Sequence, residues 1–178
     1  MITHKKDKTI LNLIGIAFFA GWLGSSVKSL LDKKLPKVVK VKYLDGGEFK
    51  LEKIAKGDWI DLRAAEDFEL RAGERVDIPL GIAMKLPKGY EGHLLPRSSS
   101  CRKMNIWLEN SQGIIDNSYC GDTDQWCFRA YAVEDTKISK GDRIAQFRIV
   151  KNQPKLIIKE VETLGSKSRG GFGSTGVK

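Results

Sequence analysis

Arg97, Ser98, Ser99 and Ser100 stand together at the end of the apolar run Glu91-Gly-His-Leu-Leu95. A guanidinium beside hydroxyls at a strand end suits phosphate oxygens, which accept charge-assisted and often bidentate hydrogen bonds from arginine. Taken alone, the stretch reads as a solvated loop. A second polar stretch, Asn110-Ser-Gln-Gly-Ile-Ile-Asp-Asn-Ser-Tyr119, says more. Gly113 permits a tight backbone, Ile114 and Ile115 can anchor a hairpin, and an acid and a phenol follow at Asp116 and Tyr119. The bland reading of Asp116 is an ordinary turn aspartate. In a third stretch, Gly141-Asp-Arg-Ile-Ala-Gln-Phe-Arg148, Gln146 interrupts an apolar run. A buried Gln needs partners, so it bonds either backbone or a ligand. Near the end, Gly171-Phe-Gly-Ser-Thr-Gly176 matches the glycine spacing of a dinucleotide fingerprint, which works only between a strand and a helix. Two residues follow it, too few for that helix, and Val177 stands where the lysine of a phosphate-binding loop belongs.

These residues need a frame, and the chain from Pro36 onward reads as short strands. Val38–Tyr43, Arg75–Ile78, Glu91–Leu95, Ile106–Leu108, Trp126–Val133, Ile144–Val150 and Leu156–Val161 are apolar or alternating runs. Turn signals such as Asp45-Gly-Gly47, Pro87-Lys-Gly89 and Lys140-Gly-Asp142 separate them. No long helical period and no internal repeat occur among them. The expectation is an all-β barrel or sandwich, with a jelly roll as one solution.

The whole chain of 178 residues suffices for one domain with a proper core. Its three cysteines, Cys101, Cys120 and Cys127, are odd in number and lack paired spacing, which argues against a disulfide framework or zinc site and for a reducing compartment. The net charge of +9 is concentrated: residues 1–42 hold nine Lys and two Asp, whereas the remaining 22 basic and 20 acidic residues nearly balance. A nucleic-acid groove across the fold is therefore not expected. Residues 9–27 carry no charge over nineteen positions, close to the roughly 20 that a membrane-spanning helix needs. Three readings stay open for them: a membrane anchor, an apolar helix packed on a partner subunit, and a cleaved signal. The lysines that follow would leave the C-terminal body in the cytoplasm.

In order along the chain, Gly57-Asp-Trp-Ile-Asp-Leu-Arg-Ala64, Pro96-Arg-Ser-Ser99, Asn110 to Gly121, Gly141-Asp-Arg-Ile-Ala-Gln146 and Arg169-Gly-Gly-Phe-Gly-Ser-Thr-Gly176 closely resemble the five motifs of the trimeric dUTP diphosphatases. The resemblance spans roughly Val38 to Lys178. It implies a jelly-roll-like β-barrel, assembled as a homotrimer with active sites at subunit interfaces, that hydrolyses dUTP to dUMP and pyrophosphate with Mg²⁺.

By the same resemblance, Asp116 orients and deprotonates the water that attacks the α-phosphorus. Arg97, Ser98, Ser99 and Gln146 bind phosphate oxygens. Asn110, Gly113 and the backbone at Ile114 and Ile115 receive uracil, where backbone groups exclude a 5-methyl by sterics and cytosine by polarity. Tyr119 lies under the deoxyribose. Asp61 and Arg63 are supporting groups. Mg²⁺ is held chiefly by the triphosphate and water, with no direct protein ligand expected. The C-terminal arm closes over a neighbouring site, with Arg169 toward the γ-phosphate, Phe172 over the uracil, and Gly173, Ser174 and Thr175 around the outer phosphates. Many relatives place two further residues in that last motif, which would put Lys167 at the arginine position, so the choice between the two cations stays open.

The implied division is an extension over 1–36, a β-domain over 37–164 and a glycine-rich arm over 165–178. Two other readings compete. A dCTP deaminase shares the fold but carries a catalytic glutamate where this chain has Trp126, and a non-catalytic regulatory module would not need the full set of site residues.

Overall fold

The computed structural model describes residues 35–53, 55–171 and 176. Ten strands and one short helix follow Pro36: β1 (Lys40–Tyr43), β2 (Ile60–Arg63), β3 (Phe68–Leu70), β4 (Arg75–Lys85), β5 (Tyr90–Pro96), α1 (Ser100–Met104), β6 (Ile106–Leu108), β7 (Gly113–Ile115), β8 (Gln125–Ala132), β9 (Thr136–Ile138) and β10 (Arg143–Lys151). They form two four-stranded sheets, ordered β1-β4-β8-β6 and β2-β10-β5-β7, and a two-stranded β3-β9 ribbon. Each pairing is antiparallel. The fold is all-β, as expected.

Side-chain alternation explains the two layers. Along β8, Trp126, Phe128, Ala130 and Ala132 are buried while Cys127 and Arg129 are exposed, the period-two pattern of a sheet with one wet face. In the second sheet Leu62, Leu94, Ile144 and Phe147 turn inward to meet them. Trp126 and Phe147 meet edge to face, with ring centroids 5.4 Å apart and planes at 80°, a favoured aromatic geometry. Gly92 makes room for that indole, since a Cβ there would lie 2.6 Å from Trp126 Cη2. In β4 the alternation breaks: five consecutive residues, Leu80 to Met84, are buried. The register shifts at this point, between Pro79 and Ala83, around Gly81 at φ 66. A Cβ on Gly81 would lie 2.7 Å from Asp45 Oδ2, so the irregularity also needs glycine for space.

Two expectations about the chain ends meet different outcomes. Leu156–Val161 is not a strand: the last strand ends at Lys151, and Leu156, Ile157, Ile158 and Val161 are exposed. An apolar, partly β-branched run makes a strand only where a neighbour completes its ladder, and among the described residues none does. The apolar segment 9–27 lies outside the described residues. Among the described residues, no helix is long and apolar enough to cross a membrane.

Candidate active site

Asp61, Gln146 and Leu95 lie abreast on β2, β10 and β5. Since Leu62 and Leu94 point into the core, Asp61 and Leu95 face outward. Arg97, just past the end of β5, donates from Nε to Asp61 Oδ1 at 2.9 Å. Arg143 Nη1 donates to the other oxygen, Oδ2, at 3.2 Å. One carboxylate thus aims two guanidinium groups, and the trio keeps one net positive charge for an anion. Sequence reasoning missed Arg143, although it is the one basic residue of the Gly141–Gln146 motif; a lone cation beside a turn carries no signal until its partner is known.

The hydroxyls beside Arg97 divide their work. Ser100 is fully buried; its Oγ accepts from Arg97 N at 3.1 Å and donates to Ile144 O at 2.8 Å, tying the loop to β10. Ser98 is exposed, and Ser99, at the N-cap of α1, makes no capping bond with its side chain. Both remain available to a ligand. Gln146 Nε2 donates to Pro96 O at 3.1 Å, which answers its need for a backbone partner. Arg63 turns away, donating to Gly141 O at 2.6 Å and lying 5.4 Å from the Phe49 ring centroid, and so braces the β2–β10 end. A cleft of about 210 Å³ opens beside Asp61, Arg63 and Arg143. A larger one, about 670 Å³, lies on β3 and β9 and touches none of the predicted residues.

The Asn110–Tyr119 segment, expected as a hairpin, carries one strand, β7, among the described residues. β6 and β7 belong to different sheets, and β7 pairs with β5, setting Gly113 opposite Leu94, Ile114 opposite His93 and Ile115 opposite Gly92. The turn between them is tight, with Ser111 at φ 61 and Gln112 N donating to Asn110 O at 2.6 Å. Gly113 is needed there because a Cβ would lie 3.3 Å from that of Leu94. β7 is therefore an edge strand, and its outer edge has no strand partner among the described residues. Ile114, 55% exposed, projects outward from it.

Beyond β7, Asp116 closes an Asx turn by accepting from Ser118 N at 2.7 Å. Hydrogen bonding from Ser118, by side chain and then by backbone, holds the Asp116 carboxyl below the usual carboxylate range. It is exposed and ionised at neutral pH. Asn117 pins the loop, its Nδ2 donating to Leu86 O at 2.9 Å and Pro87 O at 3.2 Å. Tyr119 donates from its hydroxyl to Gln125 O at 3.1 Å, and its side chain stays exposed. Desolvation, then Asp124 and Cys127, push that phenol up, so it stays protonated.

The two groups lie at opposite ends of one strand. Arg97 follows the C-terminal end of β5, whereas continuing the β5–β7 register places Asp116 level with Glu91. Six residues at about 3.4 Å each separate these levels by roughly 20 Å. Among the described residues no hydrogen bond or ion pair joins them. Lys167 and Arg169 are exposed, and Phe172, Gly173, Ser174 and Thr175 lie outside the described residues.

A family model described as dUTPase matches residues 59–176. The SPbeta prophage-derived deoxyuridine 5'-triphosphate nucleotidohydrolase YosS of Bacillus subtilis is 54% identical over 140 residues, covering 79% of this chain and 99% of its own. A deoxyuridine 5'-triphosphate nucleotidohydrolase of Rickettsia bellii is 41% identical over 145 residues, covering 78% and 95%. Among solved structures, the dUTPase of Staphylococcus bacteriophage 80alpha with dUPNHPP aligns with a TM-score of 0.63 at 29% identity, over 79% of this chain and 99% of that one. A mutant dUTPase of S. aureus phage phi11, described for its structural Mg(II) ion, aligns over 71% and 98% with a TM-score of 0.62; at 22% identity it speaks to the fold alone.

Proposed function

The chain belongs to the dUTPase family and is a dUTP diphosphatase, and from that premise we propose how its own residues hydrolyse dUTP to dUMP and pyrophosphate. The match over residues 59–176 carries the reading, because that span holds Asp61, Arg97, Asp116, Gln146 and the glycine-rich end in order. Asp116 orients a water for attack on the α-phosphorus and takes its proton as the bond to the bridging oxygen breaks and pyrophosphate leaves. A carboxylate with a lowered pKa is a weak base, so alignment supplies more of the rate than basicity does.

Arg97, Ser98 and Ser99 hold the phosphate oxygens, with the guanidinium aimed by Asp61. Gln146 has a second amide hydrogen for the same task. Successive residues of β7 alternate between bonding β5 and facing its open edge, so of the Ile114–Ile115 pair it is the backbone N–H and C=O on the open side that pair with the uracil edge, much as another strand would. Gly113 keeps that edge close to β5, Asn110 adds a side-chain contact, and Tyr119 packs under the deoxyribose. The arm over 165–178 brings Arg169 or Lys167 to the γ-phosphate, Phe172 over the base, and Gly173, Ser174 and Thr175 around the outer phosphates.

Among the described residues no three His, Cys, Asp or Glu side chains converge on a metal position, and both oxygens of Asp61 already face arginines. A Mg²⁺ ion held by triphosphate oxygens and water fits this cationic cradle, and it supplies charge neutralisation when bound.

The roughly 20 Å between the Asp116 and Arg97 levels supports a homotrimer with shared sites: one copy's Asp116 meets another's phosphate cradle. The exposed apolar side chains from Leu156 to Leu164 give the subunits surface to bury. The two four-stranded sheets are consistent with the jelly roll. Residues 37–164 form the β-domain of this reading; for residues 9–27 the anchor, the partner-packed helix and the cleaved signal stay open, and an anchor would leave the catalytic body on the cytoplasmic side. The deaminase alternative loses its footing at Trp126, which is 1% exposed and packed in the core.

The purified chain is expected to release pyrophosphate from dUTP with Mg²⁺ and to leave dTTP and UTP nearly untouched. Asp116→Asn should keep nucleotide binding and lose turnover. Unchanged turnover in that variant removes Asp116 from its role.

A further inference from the structure

Gln112 stands immediately before β7, and its side-chain nitrogen lies 2.8 Å from His93 Nδ1. The other ring nitrogen, Nε2, lies 2.8 Å from Glu91 Oε1. A carboxylate only accepts and an amide nitrogen only donates, so Nε2 donates to Glu91 and Nδ1 accepts from the Gln112 amide. Each group then has one role in a directed relay from Gln112 through His93 to Glu91. The His93 and Glu91 side chains are only 22% and 28% exposed, which limits competition from water.

The relay sits where the strand needs it. β7 has three residues and three ladder pairs, few for holding a strand at one register by backbone alone. Along β5, Gly92 and Leu94 point inward, so Glu91 and His93 share the outer face, and His93 is the direct cross-strand partner of Ile114. The imidazole therefore adds a side-chain tie between β5 and the first turn of the Asn110–Tyr119 segment, whose Gln112 backbone already bonds to Asn110 O.

We propose that His93 is a positioning residue for base recognition: by holding Gln112, it fixes the height at which Asn110 and the backbone of Ile114 and Ile115 are presented. The proposal rests on the reading of β7 as the uracil edge. A backbone edge rejects a 5-methyl group only while it cannot retreat, so the same tie sharpens the choice of dUTP over dTTP. His93 acts through Gln112 and stands away from the reacting phosphorus.

The test compares His93→Ala, Gln112→Ala, the double variant and His93→Asn in the full chain. Losing one neutral hydrogen bond predicts a rise in KM for dUTP of about three- to tenfold, with kcat within twofold and a similar loss of preference over dTTP. The double variant should be no worse than either single one, because both remove the same bond. His93→Asn, which keeps an acceptor near the Nδ1 position, should recover much of the KM. Amide hydrogen exchange should quicken over 110–116 and stay unchanged over β10. Unaltered KM and exchange in an active protein overturn the proposal, as do additive single effects or a loss confined to kcat. A parent protein inactive on dUTP would instead sink the dUTPase reading, while exchange, which needs no substrate, still decides whether His93 holds the turn. Should His93→Ala fail to fold, Gln112→Ala tests the same bond from the outer side.

Discussion

Replacing Asp61 by Asn keeps the shape of the bridging side chain and removes the charge that aims two arginines. The Arg97 bond is the stronger one. It is 2.9 Å long, and its side chains are 26% and 21% exposed, so a charge-assisted contribution of about 2 kcal/mol is reasonable. Arg143 is 47% exposed at 3.2 Å, and its share should not exceed about 1 kcal/mol. A total near 2–3 kcal/mol, spent partly on loop order and partly on the phosphate-facing geometry, predicts a fall in kcat/KM of about 10- to 100-fold. The two guanidinium groups also lose their common counter-charge. Attraction to triphosphate should then depend more steeply on ionic strength even as productive alignment is lost. Pyrophosphate release from dUTP between 20 and 300 mM salt, followed beside a thermal melt, separates the two effects. If Asp61→Asn leaves kcat/KM within twofold and its salt dependence unchanged, Asp61 does not aim Arg97 and the phosphate cradle has been misassigned.

Ser118→Ala removes the hydroxyl that does most to hold the Asp116 carboxyl down. A lowered pKa keeps the base ionised to lower pH, so without that hydroxyl the acidic limb of the kcat/KM profile should move upward, toward the ordinary carboxylate value; an unmoved limb excludes Asp116 as its source. Gly92→Ala brings a Cβ to 2.6 Å from Trp126 Cη2. Overpacking of this kind costs about 1–3 kcal/mol, and calorimetry should show Tm reduced by several degrees. Removing residues 168–178 should leave a folded trimer by light scattering with little activity, and full activity without them would return the arm to a plain linker.

How far the sequence could be read depended on the kind of interaction. β5, β8 and β10 were legible because long alternating runs leave one reading of the period, whereas Arg97 and Asp116 stood out only through the ordered motifs around them. β2, β3 and β9 are three or four residues long, too brief for any period to rise above composition. α1 is likewise five residues, closed by Asn105 at φ 52. For the Asn110–Tyr119 segment the sequence shows the turn residues but not the partner: β7 lies against β5, while β6 just before the segment joins the other sheet. Ser100 falls just outside the Pro96–Ser99 motif, and only burial reveals that its hydroxyl ties the loop to β10. Leu156–Val161 has the composition of a strand but no strand partner among the described residues.

The placement of Arg97 and Asp116 at opposite ends of one sheet also has a genetic consequence. In the proposed trimer each copy lends its base to one site and its phosphate cradle to another, so a lesion is not confined to a single centre. Two copies that are each dead alone, one lacking Asp116 and one lacking Arg97, can restore an intact site when mixed. A single damaged allele, conversely, spreads its defect through assemblies made mostly of sound chains.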